Sequence, residues 1–290
     1  MPAAHAIFLS DIHLGTRACQ ATRLLELLRR WEAPRIYLVG DIIDLWEMRR
    51  GIHWPESHNT VLQKLLRRAR QGVEVTFIPG NHDALLRMHA MQQFGNVRLV
   101  AEAIHETVDG RRLVIMHGDE FDPVTRYPRL QALLGEHSYH FMMWSQRKVQ
   151  ALGLACGIQS HFSLARLVRT RLARARRYIE DFERAALHHA ATSGYDGIVC
   201  GHIHHPTVLS RDNLGYYNCG DWVDSCTALI EHLDGRFELV HQSLADTPGE
   251  PTIRRIKSAT PRASEEALPS GVAPPRKVPV QGTNPPGPAR

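Results

Sequence analysis

The stretch V-E-V-T-F-I-P-G-N-H-D, residues 73–83, joins an apolar run to a cluster of polar side chains. Its first six residues are rich in β-branched and aromatic types, which predicts a buried strand. The chain then turns at Gly80 and presents Asn81, His82 and Asp83 in succession. Polar residues at such a place either cap a helix or carry out chemistry. The stretch alone leaves both interpretations open.

Four other stretches repeat this pattern of an apolar run that ends in polar residues. They are AIFLSD (6–11), RIYLVGD (35–41), RRLVIMHGD (111–119) and DGIVCGHIH (196–204). Residues 21–31 and 59–70 have helical character and separate the early runs. Strands that alternate with helices predict an α/β fold in which the polar strand ends share one edge of a sheet.

The remainder of the body departs from this rhythm. Residues 124–192 predict a helical insertion with one apolar face, made of Leu164, Val168, Leu172, Ala175, Ile179, Phe182 and Ala186. The other face carries Arg166, Arg169, Arg174, Arg176 and Arg177 and is either a solvated surface or a surface for phosphate groups. The last part predicts two hairpins, the second with its turn at Asp234-Gly235.

Composition separates a folded body from a tail. Ten of the seventeen prolines and no aromatic residue lie in 248–290, which predicts a disordered, basic tail after a domain of residues 1–247. The formal net charge of +5 is therefore mostly a property of the tail. Five cysteines without a CxxC pair, and an N-terminus without the pattern of a signal peptide, favour a cytoplasmic protein.

Each strand end supplies side chains that could bind a metal. The candidates are Asp11 and His13, Asp41 and Asp44, Asn81, His82 and Asp83, His117 and Asp119, and His202, His204 and His205. Each residue alone is more often a helix cap or a hydrogen-bonded histidine, but strand ends converge where open α/β sheets place their sites. In D-x-H and H-x-H, alternate residues of extended backbone would point the same way. Mixed carboxylate, imidazole and amide ligands suit Mn²⁺, Fe²⁺ or Zn²⁺.

The ordered motifs D-x-H, G-D-x-x-D, G-N-H-D, H and G-H-x-H closely resemble those of the calcineurin-like binuclear metallophosphoesterases. The resemblance covers about residues 6–244 and implies a four-layer sandwich, in which two mixed β-sheets are flanked by helices, with a helical cap insertion. It implies that one metal binds Asp11, His13 and His204. A second would bind Asn81, His117 and His202, and Asp41 would bridge both. Asp44 and Asp119 would lie behind the ligands.

Two such cations, about 3.5–4 Å apart, would clamp a phosphoryl group, and a bridging hydroxide would attack phosphorus. His82 would protonate the leaving oxygen, and Asp83 would orient the His82 ring. Two Mn²⁺ ions are the expected cofactors, with Fe²⁺ or Zn²⁺ as alternatives.

Within this superfamily the chain is most similar to the UDP-2,3-diacylglucosamine hydrolases of lipid A synthesis, in a sister group that carries G-N-H-D. The similarity implies cleavage of the pyrophosphate of a nucleotide-linked lipid and association with the inner membrane surface. It implies substrate contacts at Tyr127, Arg166 and Arg169. The alternatives are a broader phosphodiesterase or phosphomonoesterase, and a non-enzymatic scaffold with the same fold. No specific nucleic-acid partner is expected.

Overall fold

The computed structural model describes residues 3–122 and 164–242, with side chains from residue 175 onward in the second stretch. The strands are β1 Ala4–Leu9, β2 Arg35–Val39, β3 Glu74–Ile78, β4 Gln93–Phe94, β5 Val97–Leu99, β6 Ala103–Glu106, β7 Arg112–Ile115, β8 Gly197–Cys200, β9 Thr207–Arg211, β10 Leu214–Asn218, β11 Thr227–His232 and β12 Phe237–His241. The α-helices are α1 Ala21–Arg30, α2 Leu45–Met48, α3 Glu56–Arg70 and α4 Leu164–Thr192. Two 3₁₀ helices span Ala84–His89 and Asp119–Phe121.

The strands form two mixed sheets. The larger has the order β12-β11-β1-β2-β3-β5-β4, with parallel pairing from β1 through β5. The smaller has the order β6-β7-β8-β10-β9, with β7, β8 and β10 parallel. In both sheets the remaining neighbours pair antiparallel. The predicted pair of mixed sheets is confirmed.

Three apolar layers hold the sheets and helices together. Phe8, Tyr37 and Ile115 belong to the layer between the two sheets. The inner faces of α1 and α3, which include Leu24 and Val61, cover the outside of the larger sheet. Helix α4 covers the outside of the smaller sheet through Phe182, Ala186, Leu187 and Ala190. Each element buries the face that its hydrophobic period provides, and the result is the expected order of helix, sheet, sheet and helix.

The observed strands are shorter than predicted at their carboxyl ends. The run 196–204 was predicted as one strand, but β8 ends at Cys200. His202 and His204 have φ values of 68° and 51°, which are incompatible with a continuing ladder. Strands β4, β5 and β6 were not predicted, because runs of two to four residues carry too little period to detect.

The predicted hairpins are both present. Strands β9 and β10 turn at Asp212-Asn213, and β11 and β12 turn at Asp234-Gly235. In α4 the predicted apolar face is buried at Phe182 and Ala186, whereas Ala175 is exposed. Arg176 lies on the solvent side as predicted.

Several predictions fall outside the described residues. These are the greater part of the insertion 124–192, the tail 248–290, the position of Tyr127, and the side chains of Arg166 and Arg169. Within the part of the chain that is described, no helix is long and apolar enough to cross a bilayer.

Candidate metal centre

The loops that follow five strands meet at one edge of the molecule. The loop after β1 is fastened to the loop after β2, because the His13 N–H donates to the Asp41 carbonyl oxygen at 2.9 Å. The Gly201 N–H donates to the His117 carbonyl oxygen at 3.0 Å, which fastens the loop after β8 to the loop after β7. The His82 N–H donates to Asp41 Oδ1 at 2.8 Å and the His202 N–H donates to Asp11 Oδ2 at 3.0 Å, so all seven predicted ligands lie on neighbouring loops.

Most of these ligands have left-handed backbone conformations. The φ values of Asp11, His13, Asp41, His202 and His204 lie between 51° and 68°. A left-handed residue other than glycine costs about 1–3 kcal/mol and is concentrated at functional sites. The prediction that extended backbone aligns Asp11 with His13 was wrong. The two side chains converge because both residues turn left-handed while Ile12 packs into the core.

The first donor group consists of Asp11, His13 and His204. One ligand atom from each lies within 4.8 Å of the others. The Asp11 Oδ1 and His13 Nε2 atoms are buried and find no hydrogen-bond partner among the described residues. Their other polar atoms are occupied: the His202 N–H donates to Asp11 Oδ2 at 3.0 Å, and His13 Nδ1 donates to Asp44 Oδ2 at 2.8 Å. Asp11 Oδ1 lies 3.9 Å from His13 Nε2 and 3.1 Å from His204 Nε2, so a proton on His204 or a cation among the three atoms would balance the carboxylate.

The second donor group is centred on the Asn81 side-chain oxygen. Asn81 Oδ1 lies 3.2 Å from His117 Nε2 and 3.1 Å from His202 Nδ1. His117 Nδ1 donates to the Val39 carbonyl oxygen at 3.0 Å, and His202 Nε2 donates to Asp122 Oδ2 at 3.0 Å. In the neutral rings, those bonds leave lone pairs on the nitrogens that face Asn81. A proton or a metal must therefore lie between these atoms.

Asp41 lies between the two groups, as a bridging ligand should. A carboxylate oxygen of Asp41 shares a potential cation position with His13 and His82, and Asp41 shares another with Asp11 and His117. Its Oδ2 atom lies 3.3 Å from His117 Nε2.

Gly80 makes the approach of Asp41 possible, because a Cβ there would collide with Asp41 Oδ1 and lie 2.7 Å from His117 Cδ2. Sequence reasoning assigned Gly80 to a sharp turn. Its φ is outside the positive range, so close approach is the reason for glycine at this position.

The electrostatics of the site favour positive charge. Burial lowers the pKa of His204, but Asp11 reverses the effect and raises that pKa to about 9. Burial likewise opposes the charged form of His117, and Asp41 raises the pKa of His117 well above its usual value. Burial raises the pKa of Asp41, and His117 more than compensates, so that the carboxylate stays ionised. In the absence of metal, protons on these imidazoles balance the buried carboxylates.

His82 stands beside the first donor group. Its ring meets the His13 ring edge-on, with 4.8 Å between centroids. His82 Nδ1 donates to Asp44 Oδ1 at 2.9 Å. Burial lowers the pKa of His82, but the bond to Asp44 outweighs it and the pKa is raised. Asp44 thus orients both His13 and His82, and it also caps α2 by accepting from the Glu47 N–H at 2.8 Å.

The predicted role of Asp83 as the partner of the His82 ring is not what the structure shows. The Asp83 carboxylate accepts backbone N–H groups instead, at 2.6 Å from Gly80 and 2.8 Å from Ile42. It also accepts from Asp41 and Ile43, both at 3.3 Å. Asp83 therefore joins the loop after β3 to the loop after β2. Adjacency in sequence suggested the His82 pairing, but side chains of consecutive residues point in different directions.

Sequence reasoning missed several residues around the centre. Asp122 accepts from His202 and from Tyr178 of α4, the latter at 2.9 Å. Trp46 packs on His82 with 5.0 Å between ring centroids, and Phe182 lies against His202 at 6.1 Å. Asp122 lies five residues after His117, so an acidic residue near the H-G-D motif was the one available signal.

The remaining candidates lie behind or outside the ligands. Asp119 is buried and pairs with Arg87 Nη2 at 2.6 Å. His205 is exposed and belongs to neither donor group. The donor set of carboxylate, amide and imidazole atoms, with two orphaned buried acceptors, fits two divalent cations.

Comparison with known proteins agrees with this chemistry. A UDP-2,3-diacylglucosamine hydrolase of Neisseria meningitidis serogroup B is 23% identical over 241 residues, which cover 79% of this chain and 94% of that protein. A Vibrio cholerae protein of the same name is 29% identical over 161 residues, covering 51% of this chain and 65% of its own length.

Solved structures with a similar course of the chain include a Vps29 mutant from Entamoeba histolytica, at 12% identity and a TM-score of 0.40, covering 82% of this chain and 99% of that one. The Escherichia coli phosphoesterase Yfce is 16% identical with a TM-score of 0.38, over 82% and 99% of the two chains. The family described as Calcineurin-like phosphoesterase matches residues 4–206, more than two thirds of the sequence. The chain belongs to the calcineurin-like phosphoesterase family, and it is a phosphoester hydrolase.

Proposed function

We propose that this protein cleaves the pyrophosphate bond of UDP-2,3-diacylglucosamine or of a similar nucleotide-linked lipid, with two divalent cations at the strand edge. Asp11, His13 and His204 would hold one cation, and Asn81, His117 and His202 the other, with Asp41 between them. When bound, the cations supply the positive charge that neutralises the phosphoryl oxygens and activates the attacking water. Mn²⁺ is the proposed metal, since the mixed oxygen and nitrogen donors contain no thiolate.

The observation that carries the hydrolytic proposal is the position of His82. Asp44 accepts from His82 Nδ1 at 2.9 Å and so directs Nε2 away from itself. Burial lowers the pKa of His82, but the hydrogen bond to Asp44 outweighs it and raises that pKa, which favours the protonated ring that a general acid needs. In hydrolysis, the water oxygen bonds to phosphorus while the phosphorus–oxygen bond to the leaving group breaks. The leaving oxygen keeps the electron pair and takes the proton from His82.

The identity of the substrate is supported by the relatives, which carry the diacylglucosamine hydrolase name at 23% and 29% identity. The arginine-bearing helix α4 supports it as well. Arg176 and Arg177 lie on the exposed face of α4, and Arg176 pairs with Glu180 at 2.8 Å. We extend the proposal to substrate contacts at Tyr127, Arg166 and Arg169, to a cytoplasmic location, and to contact with the anionic inner membrane surface.

A panel of three substrates tests this proposal. The purified, Mn²⁺-loaded chain would be incubated with UDP-2,3-diacylglucosamine, bis-p-nitrophenyl phosphate and p-nitrophenyl phosphate, and the products followed by ³¹P NMR. We expect UMP and the lipid monophosphate from the first substrate at the highest kcat/KM. Rapid hydrolysis of the aryl esters together with an untouched UDP-lipid would reject the lipid substrate and retain the phosphoesterase.

The outcome of the panel also separates the broader candidates. A preference for bis-p-nitrophenyl phosphate would indicate a general phosphodiesterase, and a preference for p-nitrophenyl phosphate a phosphomonoesterase. Both activities would use the same donor groups, because the cations that those groups would hold act on the phosphoryl group and not on its substituents. Absence of hydrolysis of all three by metal-loaded protein would contradict the proposed mechanism.

A further inference from the structure

A second cluster of potential metal ligands lies far along the strands from the metal centre. His5 is the second residue of β1, whose other end leads to Asp11, and Glu231 is near the end of the adjacent strand β11. His105 lies on β6 of the smaller sheet. One ligand atom from each of these three residues lies within 4.8 Å of the others. Two sheets therefore contribute to one cluster between them.

A β-bulge brings His5 into this cluster. The register of β1 against β11 shifts between Ala4 and Ala6, and His5 is the residue at the shift. Strict alternation would place His5 on the helix-covered face with Ile7. Instead Ala4 packs in the helix-side layer, and the His5 ring lies 5.7 Å from the His105 ring, between the sheets. Bulges are used to redirect side chains near functional sites.

The other atoms of the cluster are held by neighbouring groups, as they are around metal ligands. Glu231 Oε1 accepts from the Val108 N–H at 2.8 Å, which leaves Oε2 toward the histidines. His105 Nδ1 lies 3.2 Å from the Tyr37 hydroxyl group, which either donates or accepts. His105 Nε2 donates to Glu231 Oε2 at 2.6 Å, and both side chains are fully buried. That proton lies where a cation would bind.

A cation already contacts the third member of the cluster. Arg35 Nη1 donates to His5 Nε2 at 2.7 Å, although the Arg35 side chain is 36% exposed. Two ligands of a tetrahedral zinc ion lie about 3.3 Å apart. The Glu231 Oε2 atom is 2.6 Å from His105 Nε2 and 3.9 Å from His5 Nε2, so each of these two distances is within 1 Å of that spacing. Arg35 holds the His5 nitrogen that an ion would bind, and it would swing into solvent on binding.

We propose that His5, His105 and Glu231 form a third divalent metal site, selective for Zn²⁺ and separate from the metal centre. Two imidazoles and one carboxylate are ligands that Zn²⁺ favours, and the partial exposure of His5 provides both access and space for a water as fourth ligand. The site joins the two sheets at the ends remote from the reaction, so its role is to fasten the sandwich.

Zinc titration of the full chain tests the site. The protein would be stripped with a chelator and titrated with Zn²⁺ against a chromophoric competitor, with thermal unfolding as a second readout. We expect three equivalents for the wild type and two for His5→Ala, with turnover of the loaded enzyme unchanged. Tyr37→Phe should still bind three equivalents of Zn²⁺, and its affinity for the third should be about 10- to 100-fold lower than that of the wild type. Arg35→Ala should bind the third equivalent more tightly, because it removes the competing cation.

His241→Ala is the matched control, because His241 is an exposed histidine on β12 of the same sheet. It should still bind three equivalents, and all variants should retain the circular dichroism spectrum of the wild type. Equal zinc content in the wild type and His5→Ala would overturn the proposal. Loss of zinc in His241→Ala to the same extent as in His5→Ala would also reject it, since adventitious surface binding would then explain the third equivalent.

Discussion

At the scale of single residues, Asp44 connects binding and proton transfer. Its two oxygens accept from His13 at 2.8 Å and from His82 at 2.9 Å, so one buried carboxylate sets the orientation of a proposed metal ligand and of the proposed acid. Burial raises the pKa of Asp44, but the hydrogen bonds from the two histidines outweigh it and lower that pKa. Asp44 therefore stays ionised at neutral pH.

Replacement of His82 should separate chemistry from metal binding. We expect His82→Ala to retain two metal ions and to lose about 10²- to 10⁴-fold in kcat on a poor leaving group, since general acid catalysis is removed. The loss on p-nitrophenyl esters should be smaller, because p-nitrophenolate departs without a proton. Elemental analysis and steady-state kinetics measure both. His205→Ala, an exposed neighbour of the ligands, is the control, and full activity of His82→Ala on an alkyl ester would refute the role.

Asp44→Asn should damage both functions together. The two histidines donate to different oxygens of Asp44, and the amide nitrogen of an asparagine cannot accept, so either His13 or His82 loses its partner. We expect metal affinity at the His13 site to fall about 10- to 100-fold, in addition to a loss of kcat. Metal titration combined with kinetics at saturating Mn²⁺ distinguishes the two effects. A variant with normal metal affinity and a low kcat would show that Asp44 acts on His82 alone.

Gly80→Ala should abolish metal binding for steric reasons. The added Cβ would lie 2.7 Å from both the Asp41 backbone nitrogen and His117 Cδ2, and neither neighbour is a flexible side-chain end. Gly51→Ala is the matched control, because nothing lies within 4 Å of a Cβ there and its φ is not positive. Metal content by elemental analysis should fall in the first variant only. A wild-type metal content in Gly80→Ala would show that the loops move apart to accommodate the added Cβ.

At the scale of elements, helix α4 supports the metal centre from the outside of the smaller sheet. Tyr178 donates to Asp122, which in turn holds His202, and Phe182 lies against the His202 ring. A helix that sequence analysis assigned to a cap therefore also belongs to the body. Its carboxyl-terminal half is as much part of the core as the strands are.

Phe182→Ala should destabilise the fold and weaken the second metal together. Phe182 is 2% exposed and packs on Phe121 at 5.8 Å between ring centroids, so truncation should lower the free energy of unfolding by about 3–5 kcal/mol. Urea denaturation measures this. Arg184→Ala, an exposed position of the same helix, should change it by less than about 0.5 kcal/mol. A loss below 1 kcal/mol in Phe182→Ala would contradict the packing.

At the scale of the whole molecule, metal binding, proton binding and folding are coupled. The pKa of His204 is raised to about 9 by Asp11 against the effect of burial, and its usual value is 6.5. The stability that this protonated pair contributes to metal-free protein is complete below pH 6.5. It is lost as the pH rises through about 9, because a group whose folded pKa is raised favours the folded state only while protonated.

We therefore expect opposite pH effects on the metal-free and metal-loaded protein. The melting temperature of chelator-treated protein should fall between pH 6.5 and pH 9, whereas metal affinity should rise over the same interval because the ligands must release their protons. Calorimetry in buffers of different ionisation enthalpy should detect proton release on Mn²⁺ binding at pH 7. Metal affinity that is independent of pH would contradict the assignment of His204 as a ligand.

The sequence by itself determined much of this protein. Alternation of apolar runs and amphipathic helices predicted the α/β fold, because burial of one face imposes a period on each element. The motifs identified seven candidate ligands, and the structure brings their donor atoms together in two groups. Both results depend on local patterns, which a single chain displays directly.

Only the tertiary structure decided how those residues are used. His82 pairs with Asp44 and not with the predicted Asp83, and His202 pairs with Asp122. His5 lies between the sheets because of a shift in strand register. All three arrangements depend on contacts between segments that are distant in sequence. Left-handed backbone at the ligands interrupts the strands that the sequence predicts to continue. The orientation of a side chain depends on packing between segments that are distant in sequence, so it cannot be predicted from residue type and spacing.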